Sequence, residues 1–363
     1  MTQLFGPRNF ASSVRAKCRQ LLNLIRWVSA KILAPGGERR RLLMVYDFAS
    51  QPLSIGDILV FQESSLVLRA IHDLGRIDFA LVYDPLHPVV TDPALAHIDA
   101  ESFLYYLSSF LPAAQVNPHL GSVLFFDSHA ALESYIGDNA HRYHVWPTLG
   151  KYAGLEYLFY YCFDHLFYDY FKKNGSLPSL VSRPAARAWA ERFVDEHVRP
   201  ATAITVQLRR NPQNPARNSN YEAWLAFFAH CADRFPAKFV VICGRSEVDA
   251  RLRTLNNVVV AKDYGTSVEQ DLALIEIGGI HMGACSGPGT MAQFSSKPYC
   301  MFNSLMDHGF VKGFKREGDH GRFVFSGELQ NWVIGKETAE SLQVEFDRMW
   351  TAVAANIAHD AAR

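Results

Sequence analysis

The sequence predicts an α/β protein made of two successive halves, each winding strands and helices around a mainly parallel sheet with a cleft between the halves. Three observations predict it. Short, mainly apolar runs at 42–46, 77–83, 204–208 and 239–243 alternate with longer amphipathic stretches, the pattern of buried parallel strands joined by crossover helices. Strands of the second half end in small or polar turns, which an open α/β sheet gathers along its ligand-binding edge. A chain of 363 residues has material for two such bodies.

Composition excludes several alternatives. Hydrophobic residues at 49% and charged residues at 20% are ordinary for a chain with a large core, and the formal net charge is zero. No global field draws the chain to nucleic acid, and none is expected as a partner. The six cysteines form no CxxC pair and read as buried thiols of a reducing compartment. The fourteen histidines show no HExxH spacing, and no DxD pair occurs. No metal site and no cofactor is expected.

Residues 1–41 stand apart. Arg8, Arg15, Lys17, Arg19, Arg26, Lys31, Arg39, Arg40 and Arg41 face one acid, Glu38. Val14, Cys18, Leu21, Leu22, Ile25, Val28 and Ile32 recur at steps of three and four, one apolar helical stripe with basic flanks. The apolar run is too short to span a bilayer and contains Arg26 and Lys31. The arm, about residues 1–37, is therefore expected to lie in the plane of an anionic membrane surface; packing on the body, or on a partner, is the alternative. Pro35-Gly36-Gly37 breaks the helix.

The first domain is expected over 42–183. It starts with the strand at 42–46, a loop, a long amphipathic helix opened by Gly56-Asp57 and a strand at 77–83, a right-handed βαβ unit. Strands at 123–126 and 143–146 follow, with helices near 101–111 and 129–137. Residues 152–173 hold ten aromatics that run all round one expected helix, read as buried or set between the domains, with an acceptor-binding surface as the alternative. The second domain is expected over 184–335. After the strand at 204–208 come Arg209-Arg210 and a polar loop, 211–220, of active-site character. Helices at 221–235, 247–254 and 267–277 alternate with strands at 239–243 and 258–261. Ser267 and Gln270 have capping-box form.

The centre of this half is 278–302: a strand at 279–282, a small-residue turn at 283–289, a helix at 290–295 and a strand at 299–302. Ser286 or Gly287 caps the helix, and Pro288 suits its first turn. Gly287 and Gly289 leave bare backbone where free N–H groups and the helix dipole favour a phosphate. Segment 303–335 is poorly patterned and reads as a long functional loop. A helix at 338–357, within a terminal segment 336–363, is expected to cross back to the first domain.

Two motifs carry a resemblance. Ser54-Ile55-Gly56-Asp57-Ile58-Leu59 resembles the "iGDvl" turn of the heptosyltransferase family, and Ser286-Gly287-Pro288-Gly289-Thr290-Met291-Ala292, with Pro298, resembles that family's "DTGpmHlAaal…P" segment. Cys285 and Ser286 stand where the family has Asp-Thr, and Gln293 where a small residue is common. Arg209-Arg210 is similar to the paired arginines of fucosyltransferases. The layout resembles the GT-B architecture of nucleotide-sugar glycosyltransferases: two Rossmann-like domains facing across a cleft, with a C-terminal crossover helix.

The resemblance implies transfer of a sugar from a nucleotide-sugar donor to a glycan or lipid-linked acceptor hydroxyl, in bacterial cell-surface polysaccharide synthesis, in the cytoplasm at the inner membrane face. Such a reaction needs a base for the acceptor hydroxyl and a neutraliser for the leaving diphosphate. Asp57 is the candidate base; a dipole partner of its helix is the plainer role. Arg209 or Arg210 can grip phosphate oxygens with two donors at once, with the N–H groups from Gly287 to Thr290, beside Ser286 and Gly289, completing the cradle. Gly244, Arg245, Asp263 and Tyr264 at neighbouring strand ends are candidates to frame base and ribose, and Glu269 is another. A non-catalytic nucleotide- or glycan-binding scaffold, or a polysaccharide pyruvyl transferase-like enzyme, are the competing readings.

Overall fold

The structure, a computed structural model, describes residues 40–49, 51–86, 98–147, 159–212, 215–303 and 312–361, without the side chains of 159–164 and 356–361. The basic arm before residue 40, and residues 152–158 of the aromatic run, lie outside the described residues.

The chain divides into two compact units, one drawn from Met1–Pro52, Leu68–Phe103 and His119–Leu158, the other from Leu53–Val67, Leu104–Pro118 and Phe159–Arg363. The division takes Gly56 and Asp57 into the second unit.

The first unit is a parallel sheet of β1 (Arg41–Asp47), β2 (Ile77–Val82), β3 (Leu120–Phe126) and β4 (Tyr143–Trp146), in the order β3-β2-β1-β4. β1 and β2 are buried almost throughout, as their mainly apolar sequences require. Their side chains meet Leu132 and Ile136 of α3 (His129–Asp138), a helix capped by the Ser128 hydroxyl, which accepts from the Ala131 amide. Asp78, a charge inside this sheet, is satisfied three ways. It accepts from Arg41 at 2.9 Å, from the Tyr143 hydroxyl at 2.8 Å and from the Ser122 amide at 2.7 Å, the condition for burying a carboxylate at tolerable cost.

Helix α1 (Ile55–Ile71) follows β1. It ends at Ile71, just before Asp73 takes the left-handed conformation (φ 48°). It is also not amphipathic along Phe61–Leu68: Gln62, Glu63, Ser64 and Ser65 are all fully buried. Asn117, just after α2 (Phe103–Ala114), donates to Gln62 at 2.8 Å and to Ser65 at 2.9 Å. Burial holds the Glu63 carboxyl well above the usual carboxylate range.

The second unit contains α4 (Phe159–Asn174) and α5 (Pro184–His197). Its sheet holds β5 (Thr202–Gln207), β6 (Ala237–Ile242), β7 (Val258–Val260), β8 (Ile280–Ala284) and β9 (Tyr299–Phe302), all parallel and ordered β9-β8-β5-β6-β7. Strand order reverses between β5 and β8, which is where an open α/β sheet opens its ligand crevice. Trp224, Phe227 and Phe228 of α6 (Tyr221–Cys231) pack on Phe239 and on Phe346 of α9 (Ala339–Ala361). Each such ring contributes roughly 1.5–3 kcal/mol by leaving water. Buried Glu337 ties the two helices: it accepts from Trp224 Nε1 at 3.1 Å and from the Asn220 amide at 2.8 Å.

Three expectations are corrected. Segment 303–335 is not a structureless loop: β10 (Phe314–Glu317), β11 (His320–Phe323) and β12 (Gln330–Val333) extend the sheet beyond β9, the first two as an antiparallel hairpin. The helix expected at 247–254 is two 3-10 segments, Arg245–Glu247 and Ala250–Thr254, because Asp249 turns its side chain onto the Arg251 amide and caps the second. The helix expected at 290–295 is a 3-10 turn, Gly287–Gly289, followed by the single-turn α8 (Thr290–Gln293). The capping box at α7 (Val268–Ile277) is present, with Ser267 and Gln270 bonded reciprocally.

Candidate functional site

The switch between β5 and β8 places two loops side by side. Arg209 follows β5, and Cys285 and Ser286 follow β8. The loop after β5 folds back on itself: the Ser219 amide donates to the Arg209 carbonyl and the Ser219 hydroxyl accepts from the Arg209 amide. That fold carries Arg217 over to the β8 turn, where its Nη2 donates to the Cys285 carbonyl at 2.6 Å.

Arg209 and Arg217 therefore stand together beside Cys285. Burial, and the nearby charge of Arg217, pull the Arg209 guanidinium below its ordinary range. Burial also pushes the Cys285 thiol up, against the pull of Arg217 and Arg209. Two cations held close in a partly desolvated place repel, and an anion between them removes that cost. Two buried polar atoms at this place have no partner among the described residues: Arg209 Nε and Ser286 Oγ.

The turn itself differs from the expected cradle. Gly289 donates its amide to the Ser286 carbonyl at 3.1 Å, and Thr290 donates to the carbonyls of Gly287 and Pro288. Those amides close the 3-10 turn, and Ser286 makes no side-chain cap. A helix of one turn also has little dipole to offer. The longer α1 brings its amino end to the same turn. A Cβ on Gly287 would lie 2.6 Å from the Gly56 amide nitrogen and 3.0 Å from Ile55 Cβ; one on Gly56 would lie 3.1 Å from Gly287 Cα and 3.6 Å from Thr290 Oγ1. The two motifs that looked separate in sequence touch backbone to backbone, and only glycine permits it. Asp57 follows Gly56 in the first turn of α1, with its amide 3.4 Å from the Ser54 hydroxyl.

Beneath the turn, His281 of β8 is fully buried. Thr205 Oγ1 donates to the Ile280 carbonyl at 3.3 Å and is hydrogen-bonded with His281 Nδ1 at 2.9 Å. Burial drives this imidazole down to about 3, so it is neutral.

The other expected residues lie along the same sheet edge, with different company. Arg210 stacks on the Tyr221 ring, 4.0 Å from its centroid, and pairs with Asp249 at 3.1 Å. Gly244 donates its amide to Glu247 Oε2 at 2.6 Å, and Glu247 Oε1 accepts from the Arg210 amide. Arg245 opens the exposed 3-10 segment after β6. Asp263 is held by Arg253 through two bonds of 2.6 and 2.7 Å, which keep its carboxyl below the usual range. Tyr264, half exposed, packs on His197 and Phe193. Glu269 is bonded by Arg183. The structure thus brings Ser286, Gly287, Gly289, Thr290, Gly56 and Arg209 to one place, and ranges Arg210, Gly244, Arg245, Asp263 and Tyr264 along β6 and β7. Sequence reading missed Arg217; its signal was an arginine in a polar loop leaving the first strand of the half.

No family model matches this chain, and no curated protein matches it. Among solved structures the fold is recognisable. E. coli ADP-heptose LPS heptosyltransferase II is similar over 85% of this chain and 98% of its own, with a TM-score of 0.54 at 10% sequence identity. The fold is that of a GT-B protein. A glycosyl transferase family 9 protein from Veillonella parvula is similar over 87% of this chain and 90% of its own, with a TM-score of 0.49 and 10% identity. An E. coli heptosyltransferase solved with ADP gives a TM-score of 0.41 and 14% identity over 74% of this chain and 88% of its own.

Proposed function

We propose that the protein is a metal-independent glycosyltransferase that moves a sugar from a nucleotide-sugar donor to a glycan or glycolipid hydroxyl, in bacterial cell-surface polysaccharide synthesis. One observation carries the reading: Arg209 and Arg217 converge on the glycine turn after β8, at the point where strand order reverses. Two guanidiniums with fork-shaped donors, the Ser286 hydroxyl and the amino end of α1 are suited to the two linked phosphates of a nucleotide sugar. The same groups neutralise the charge that builds on the diphosphate as the glycosidic bond breaks. The fold likeness to an ADP-heptose-using enzyme supports the donor class.

Asp57 is the proposed base. It sits in the first turn of α1, next to the glycine that meets Gly287, so an acceptor hydroxyl near the sugar is within its neighbourhood. Arg209 and Arg217 grip the diphosphate, while Arg210, tied to Asp249 and Tyr221, braces the rim. Gly244, Arg245, Asp263 and Tyr264 line the path a base and ribose would follow along β6 and β7. Residues 1–37 are proposed to hold the enzyme on the inner membrane face; among the described residues no helix is long and apolar enough to cross a membrane.

A melting-temperature panel of nucleoside diphosphates and their sugar conjugates tests the reading. The matching ligand at 100 times its dissociation constant should add about 2.7 kcal/mol of stability. A panel in which no nucleotide shifts the transition would refute it.

A further inference from the structure

Arg217 is useful only if its loop is fixed, and one residue outside that loop fixes it. Asn303 follows the last residue of β9. It is 1% exposed and has φ 57°, a left-handed conformation that asparagine tolerates better than other residues with a side chain. Its own amide donates to the Gly335 carbonyl at 2.8 Å. Its side-chain Nδ2 donates to the Ala216 carbonyl at 3.3 Å and to the Asn218 carbonyl at 3.1 Å, the two carbonyls that flank Arg217.

The bonds close a ring. Arg217 donates to the Cys285 carbonyl; the Cys285 amide donates to the Phe302 carbonyl at 2.8 Å; Asn303, next in sequence, holds both neighbours of Arg217. Inside the loop Asn211 and Asn218 are bonded reciprocally, at 2.7 and 3.1 Å. A glycine at 303 would accept the same φ without penalty. The amide donors are what asparagine adds.

We propose that Asn303 is a positioning residue, which presets Arg217 for an anionic ligand by clamping the backbone on either side of it. This rests on the proposed diphosphate site. Ordering the loop beforehand removes an entropic cost from binding. A fixed guanidinium also delivers its charge in one geometry.

The test uses the full chain and ADP, GDP and UDP, each beside its parent nucleoside, by titration calorimetry. Asn303→Gly keeps the backbone conformation and removes the donors; Asn303→Asp keeps the shape and removes the donors. Both should weaken the bound diphosphate about tenfold while the nucleoside affinity stays put. Arg217→Ala should lose at least as much, and adding Asn303→Gly to it should cost nothing further. Unchanged diphosphate affinity in Asn303→Gly, or additive losses in the double variant, would overturn the proposal. If the wild-type chain binds none of the three diphosphates, the transferase reading fails, and amide exchange then decides on the clamp. Faster exchange of the Asn218 and Ser219 amides in Asn303→Gly supports it; an unchanged rate overturns it.

Discussion

Arg217 and Arg210 leave the same strand end, yet their surroundings give them different work. Arg210 lies on Tyr221 and is paired with Asp249, so its charge is already answered. Arg217 meets a carbonyl and another cation, Arg209. Arg217→Ala is expected to weaken nucleoside-diphosphate binding by about 1.5–3 kcal/mol, the worth of a charge-assisted contact. Arg210→Ala should leave that affinity within about twofold. Equal losses in calorimetry would show that the two share the load. Asp57→Asn should cut turnover by about 10²–10⁴ while donor affinity is kept; transfer at the wild-type rate would remove Asp57 as base. The difference between the two arginines was not legible in sequence. Arg209-Arg210 stands out as a pair, whereas Arg217 acquires meaning only when the loop doubles back through Ser219.

The elements show where reading a sequence succeeds. Parallel strands such as β5, β6 and β8 are buried almost throughout, so their sequences are mainly apolar and easily seen. β10 and β11 mix charged residues with aromatic rings in no regular order, Phe314-Lys315-Arg316-Glu317 and His320-Gly321-Arg322-Phe323, and are largely exposed or half-buried. Strands of four residues with that composition have no period to detect. The touching of Gly56 and Gly287 was invisible for another reason, since a close approach depends on tertiary packing. It is testable at this scale. Gly287→Ala places a methyl carbon 2.6 Å from the Gly56 nitrogen, and backbone cannot yield as a flexible side chain does. A loss of about 1–3 kcal/mol in denaturant unfolding is expected, together with loss of diphosphate binding. β8 makes a pH prediction through His281. Its imidazole is neutral when folded, down to about pH 3, and takes a proton near pH 6.5 when unfolded. Below pH 6.5 the unfolded chain binds the extra proton, so stability falls with pH down to about 3, by up to about 1.4 kcal/mol per unit. His281→Asn should flatten that slope in thermal melts between pH 4 and 6; an unaltered slope would show that other groups set it.

For the molecule as a whole, the α/β class and the alternation of strand and helix in two units were legible from 42 to 302, because buried runs and glycine or proline breaks recur throughout. The grouping of 53–67 with the later unit was not, since helix partners are chosen by tertiary contacts. The basic arm makes its own prediction: removing residues 1–37 should release the protein from anionic vesicles in a sedimentation assay without changing its melting temperature. Vesicle binding that survives the truncation would refute the arm's role. The central claim is that Arg209 and Arg217 take a diphosphate at the β5–β8 switch. Its most direct measurement is calorimetric titration of the preferred nucleoside diphosphate into the wild-type chain and into Arg209→Gln/Arg217→Gln. The account predicts binding that weakens with salt in the wild type and falls at least about a hundredfold in the double variant. Equal affinity in the two proteins would contradict it.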